Sequence, residues 1–237
     1  MSARRRNRGL GALVAVVVIL VLLVGGILFA DRYAAQEVEQ RAGTQLQTEL
    51  GTPQPPQVDV EGFPFLTQVA AQSLKTVHLV ADQVGATNQS PLVIAHTDLV
   101  LTDVVSNDRF ATMTVSHAEG TALLDYAELQ KLAGVPLTYV GGGRFEFETE
   151  VLSVPVKAKV NGGLALNVAD QTVSLTDPKV EVAGVGLPDT ASQALLKAIV
   201  KPIPLVGIPF GLRLTSIDAA DDGLHAGVAG DNIAVTR

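Results

Sequence analysis

The stretch Val58–Leu66, VDVEGFPFL, decides how the rest of this chain reads. Gly62 permits a tight backbone, Pro64 fixes φ, and Phe63 and Phe65 set two large rings on either side of it. The chain holds only seven Phe and three Tyr, so two rings within three residues is a concentration. Two readings fit. In one the element is a core plug at a strand-to-helix corner; in the other it lines the mouth of an apolar cavity. Ile203–Phe210, IPLVGIPF, is equally apolar and proline-rich and carries the same two readings.

Upstream, Gly51–Gln57 contains Pro53, Pro55 and Pro56, which excludes regular helix or central strand and marks a hinge. Residues 31–50 lack Pro and are rich in Gln, Glu and Ala, which predicts a helix. Val38, Ala42, Leu46 and Leu50 recur every four residues as a narrow apolar stripe, and Gly43 is expected to weaken the helix midway. Such a helix suits either a cover over an apolar groove or a spacer that lifts the domain.

Before that helix, Leu10–Ala30 contains no charged residue and follows Arg4, Arg5, Arg6 and Arg8. Its length in helix, about 30 Å, matches the hydrocarbon thickness of a bilayer. The run is long for a cleaved signal, and Leu28-Phe29-Ala30 puts Leu where a cleavage site prefers a small residue. A retained single-pass anchor is expected, with the arginines in the cytoplasm and the bulk of the chain outside. The expected division is a basic tail (1–9), an anchor (10–30), a helix with its hinge (31–57) and a β-rich domain (58–237).

Downstream, short β-rich runs alternate with turn residues. Lys75–Val84, Leu92–Val105 and Arg109–His117 predict strands, with Asn107-Asp108 as a turn. A short helix follows from Asp125 to Ala133, ended by Gly134 and Pro136. Gly141-Gly142-Gly143 turns into Arg144–Val151, where Phe145 and Phe147 share one face. Val154–Val160 and Gly163–Val168 predict a hairpin around Asn161-Gly162, and Val173–Leu175 and Lys179–Val182 continue the series. A second helix is expected at Asp189–Val200. Leu212–Ile217 and Leu224–Val228 read as a hairpin over Asp221-Asp222-Gly223, and Ile233–Val235 as a final strand. Nine or ten strands that do not alternate with helices imply α+β on antiparallel sheet. One-sided apolar strands need a cover: helices, a second sheet, or a ligand.

The chemistry is notable for what it lacks. The chain has 17 basic and 24 acidic residues; without the four N-terminal arginines the remainder carries a net charge of −11, which excludes a nucleic-acid-binding surface. It also disfavours broad adsorption to anionic lipid. No cysteine is present, so disulfides, thiol catalysis and thiolate metal sites fall away together. There is no P-loop, nucleophile elbow or His-Glu-x-x-His motif, and His78, His96, His117 and His225 stand singly. Asp218–Gly223 mimics a calcium loop but lacks a third-position ligand and a twelfth-position Glu, where Ala229 stands. No enzyme activity, cofactor or metal is expected.

The anchor, the short helix, Gly62-Phe63-Pro64-Phe65-Leu66 with Gln68 shortly after, the helix around Tyr126–Leu129, and Asp222-Gly223-Leu224 in a closing hairpin together resemble the LmeA-type (lipomannan elongation factor A) phospholipid-binding family of actinobacterial envelopes. The Gly-Phe-Pro-Phe-Leu element is the specific part. The resemblance implies a tubular lipid-binding (BPI-like) fold, a curved antiparallel sheet wrapped around a helix with an apolar groove. It also implies a phospholipid ligand of phosphatidylinositol type and an indirect role in lipomannan maturation. Acyl chains then need mainly apolar contacts, for which Phe63, Pro64, Phe65, Leu66, Val38, Leu46, Phe145, Phe147, Ile203 and Phe210 are the candidates. Lys157 and Lys159, or Lys197 and Lys201, are candidates for a headgroup phosphate. Two other readings stay open: an envelope scaffold that holds a membrane enzyme, and a lipid- or glycan-acting enzyme built on paired carboxylates.

Overall fold

The computed structural model describes residues 7–88, 90, 92–107, 112–150, 157–182, 185–186, 188, 190, 203–204 and 211–236. The predicted helix at 189–200 and most of the proline-rich run at 202–210 lie outside these residues. Anchor and following helix form one unbroken element, α1 (Asn7–Leu50), about 66 Å long. Residues 18–30 of its apolar stretch are bare, with Phe29 75 % exposed, and among the described residues α1 is long and apolar enough to cross a membrane.

From Asp31 onward α1 has a domain side. Asp31, Ala35, Gly43 and Leu50 are buried, and Ala34 and Leu46 are half-buried. Val38, expected on this stripe, is 43 % exposed instead. Its neighbour Glu39 faces inward and accepts the Val60 N–H at 3.0 Å. Backbone proximity, rather than apolarity, selects the buried side. At Gly43, where weakening was expected, the helix runs straight through, and a Cβ there would lie 2.5 Å from the Pro56 carbonyl oxygen. The glycine lets the hinge touch the helix.

The hinge feeds β1 (Gln57–Glu61), which leads through a corner into α2 (Phe65–Ala70) and then β2 (Ser73–Val84), β3 (Ile94–Asn107) and β4 (Thr112–Leu124). These strands, with β11 (Arg213–Ala220) and β12 (Gly223–Thr236), make an antiparallel sheet in the order β1-β2-β3-β4-β12-β11. Val77, Leu79 and Ala81 are buried on its inner face, as the alternation predicts.

A crease crosses this sheet. Lys75, Asp103, Ser116 and Asn232 are each skipped in the registers β2–β3, β3–β4 and β12–β4, and they align across four adjacent strands. Asp103 and Asn232 have φ of 50° and 52°, and the Ser116 hydroxyl donates to the Asp103 carbonyl at 3.2 Å. One residue is skipped on each strand, so pairing resumes unshifted while the inward parity flips. In β3, Leu99 and Leu101 face in before the crease and Val104 and Ser106 after it. This corrects the expectation of two strands at Leu224–Val228 and Ile233–Val235. They are one strand, β12, folded at Asn232.

The second sheet has the order β10-β8-β7-β6-β5, with β9 (Val185–Gly186) on β8. It comprises β5 (Thr138–Gly141), β6 (Arg144–Glu150), β7 (Lys157–Asn167), β8 (Thr172–Val182) and the short β10 (Ile203–Pro204). The hairpin expected around Asn161-Gly162 does not exist, because β7 runs straight through. Its register shifts there against Asp177 of β8, whose φ is 44°, and a Cβ on Gly162 would meet Leu175 at 2.8 Å. The two fragments expected at Val173–Leu175 and Lys179–Val182 are likewise one strand. Neither sheet closes on itself. The helix α3 (Tyr126–Ala133) ends on Gly134 at φ 67°, as expected.

Two apolar cores result. The first unites α1, α2 and the inner face of the first sheet; the second unites α3, the inner face of the second sheet and the β11–β12 end of the first. Tyr126, Tyr139 and Phe145 form a ring cluster in the second core, with centroids 5.1–5.5 Å apart. The Tyr126 hydroxyl of α3 shares its one proton between the Ala220 and Gly223 carbonyls, and Tyr139 of β5 donates to Ala219 of β11, which ties the second sheet to the first. Burial pushes the Tyr126 phenol up to about 12.

Helix propensity alone would make Gly43→Ala stabilising by about 1 kcal/mol. The contact with Pro56 reverses the sign, so the variant is expected to unfold at lower temperature than the parent in detergent. A raised Tm would show that the hinge does not press on the helix.

Candidate functional site

The Gly62–Leu66 corner is built from two directions. Gly62 sits at φ 104°, and a Cβ there would strike the Gln68 amide at 2.8 Å. Gln68, itself buried, donates from Nε2 to the Glu61 carbonyl (3.2 Å) and accepts at Oε1 from the Lys75 N–H (2.9 Å), so it pins the end of β1 to the start of β2. The Phe63–Pro64 peptide is cis. From the other side comes Asp31 of α1, 2 % exposed. Its Oδ2 accepts the Phe65 N–H at 2.9 Å and its Oδ1 the Leu66 N–H at 2.8 Å. A carboxylate thus caps the first turn of α2, where free N–H groups and the helix dipole both favour a negative charge.

This arrangement sorts the apolar cluster into two classes. Phe65 is 2 % exposed and sits in the first core, with Leu46 packed against that core. Pro64 is half-buried, whereas Phe63, 56 % exposed, and Leu66 project outward. Farther along, Leu74, Leu101, Met113, Leu166 and Ala226 are only partly covered where they pack on the first core.

The remaining candidate residues lie elsewhere. Phe145 and Phe147 occupy the second core, Phe145 with no exposed surface, and Val38 points outward from α1. Ile203 pairs with Val173 through its backbone. Phe210, Lys197 and Lys201 lie outside the described residues. Lys157 stands opposite Glu150 in register. Lys159 donates to Glu146 at 2.9 Å, and this bond holds its ammonium pKa above the ordinary value. The corner and Leu46 therefore lie at the first core, and Phe145 and Phe147 in the second.

Two features escaped the sequence reading. Asp31 is one; its only signal was its position as the first charge after the apolar run. The other is the exposed face of the first sheet, where each histidine meets an aspartate. The pairs are His78–Asp98 and His96–Asp82 at 2.6 Å, His117–Asp231 at 2.7 Å and His225–Asp222 at 2.9 Å. Among the described residues no group of three or more such side chains could hold a metal ion. The His117 pKa is raised, chiefly by the hydrogen bond to Asp231 with Glu119 adding to it, and His225 lowers that of Asp222.

A family model described as LmeA-like phospholipid-binding matches residues 29–228. No curated protein and no solved structure matches the chain.

Replacing Asp31 by Ala strands two amide protons beside the first core. With hydrogen bonds to a charged group at about 1.5–3 kcal/mol each, the expected loss is roughly 2–4 kcal/mol after relaxation, read from urea unfolding of the full chain in detergent. A change within error would remove the cap from the account. For His117, an NMR titration is expected to give a midpoint above 6.5 that falls in Asp231→Asn. The folded pKa is the higher one, so the pair's contribution is complete below pH 6.5 and fades as pH rises through the folded midpoint.

Proposed function

The chain belongs to the LmeA-like phospholipid-binding family, and from that membership we propose that it is a membrane-tethered lipid carrier whose acyl-chain site follows the inner face of the first sheet beside α1. The family match carries the reading; the half-covered apolar side chains at Leu74, Leu101, Met113 and Leu166 support it. In this account the creased first sheet curves around the outer half of α1 in the manner of a tubular lipid-binding domain. The bare apolar half of α1 stays in the membrane as a retained anchor, with the domain on the extracytoplasmic side.

Hydrocarbon needs no elaborate site. Ten methylenes withdrawn from water contribute about 8 kcal/mol at most, so a strip of Leu, Met and Val suffices to hold a chain. Specificity then rests on a few polar groups at the headgroup, for which the lysines at 157, 197 and 201 remain candidates. A phosphatidylinositol-type ligand and support of lipomannan maturation are the finer forms of the proposal.

The test is lipid uptake. Full-length protein purified in detergent, stripped of lipid and offered phospholipid vesicles is expected to take up phospholipid, detected by mass spectrometry. Leu101→Ser should weaken uptake about tenfold, one 1.4 kcal/mol step, while a conservative change in the second core, Phe147→Leu, should leave it unaltered. Failure of the parent protein to bind any phospholipid would end the proposal, and equal uptake by Leu101→Ser would move the site elsewhere.

A further inference from the structure

Three contacts trace the path of the chain down α1. Pro56 meets the helix at Gly43, the Val60 N–H meets Glu39, and the Phe65 and Leu66 N–H groups meet Asp31. Each step is nearer the apolar run. The chain then turns back through α2 into β2, whose far end is tied to the other end of the helix by the Gly85 N–H on the Leu50 carbonyl at 2.8 Å. The Phe63–Leu66 corner is therefore the part of this segment closest to the apolar run, one residue past its last member, Ala30. Among the described residues at that level, the large apolar and aromatic side chains left uncovered include Phe63 and Leu66 from the corner and Phe29 and Tyr33 from the helix, with Arg32 exposed beside them.

We infer that this corner is a membrane-inserting wedge: Phe63 and Leu66 enter the lipid interface beside the point where α1 leaves the bilayer, and Asp31 holds them there. The inference rests on the reading that the apolar half of α1 spans a membrane, and it adds a second, side-chain contact between domain and lipid. An aromatic ring and a branched aliphatic side chain are favourable at this depth, where Tyr33 is also placed. The domain's negative charge disfavours broad electrostatic attraction to anionic lipid, which favours an apolar contact to hold its surface on the membrane. The occupant is a lipid surface: the patch adjoins the apolar helix, and Asp31 fixes its height relative to that helix. Acyl chains drawn from the membrane would then meet the first core beside Phe65, immediately behind the wedge.

The chain has no tryptophan, so single introduced tryptophans report position without background. Full-length Phe63→Trp and Leu66→Trp proteins, reconstituted in phosphatidylcholine–phosphatidylglycerol vesicles, are expected to emit at shorter wavelength than in detergent-free buffer standards of exposed indole. They should lose most of that emission to lipids carrying a nitroxide near the headgroup. Phe29→Trp reports whether the helix itself is in the bilayer. Val140→Trp, exposed on β5 beside the Ala219 end of the sheet, reports the far end and should be quenched only from water. Lipid quenching at position 29 without any at 63 or 66 would overturn the wedge while leaving the anchor intact. Loss of quenching at position 29 as well would overturn both. Quenching at 63 equal to that at 140 would show that lipid contact is not confined to the corner and would likewise sink the inference.

Discussion

Two amide protons at the start of α2 have no partner within their own helix, and both are given to one buried carboxylate on a different helix. That carboxylate, Asp31, is separated from the apolar run by no spacer at all. The same pair of hydrogen bonds thus closes the strand-to-helix corner and fixes the domain to α1. Gln68 and Glu39 repeat the device on neighbouring backbone groups, so the first core grows around a frame of side chain to backbone bonds rather than around an apolar stripe alone. This explains why Val38 is left outside while Asp31, a charged residue, is inside.

The sequence made the element types legible and their continuity much less so. Apolar alternation placed β2, the Phe145/Phe147 strand and the closing hairpin, and the Gly134 stop placed α3. Reading failed at Asn161-Gly162, between Leu175 and Lys179, and between Val228 and Ile233, each taken as a break between strands. All three lie at creases, where a skipped residue with positive φ or a crowded glycine flips which side chains face inward. A reversed parity in one sequence looks the same whether the chain turns back or merely folds over. Only the partner strand, which carries its own irregularity opposite, distinguishes the two.

The candidate site was legible to the extent that its chemistry is apolar. Gly-Phe-Pro-Phe-Leu drew attention through composition, and the resemblance it carried agrees with the family match over 29–228. Which ring went inside was not readable, because Phe63 and Phe65 are chemically alike and differ only in which side of the corner they occupy. Phe145 and Phe147 show the converse: strong hydrophobic candidates whose rings are absorbed by Tyr126, Tyr139 and the second core. The aspartates that partner His78, His96 and His117 lie 14 to 114 residues away, and only cross-strand pairing brings them together, whereas Asp222 is three residues from His225.

The unbroken course of α1 has a mechanical consequence. Beyond Ala30 the helix continues for about 30 Å before it ends at Leu50, with no hinge at which a tether could swing. With the apolar half of α1 as the proposed anchor, a domain mounted on such a mast has a fixed working height and almost no lateral reach, unlike one on a floppy leash. On that reading, cargo taken up from the membrane beneath the corner is passed on only to something that comes to it: a second carrier, a neighbouring protein in the same membrane, or another bilayer brought within a few nanometres.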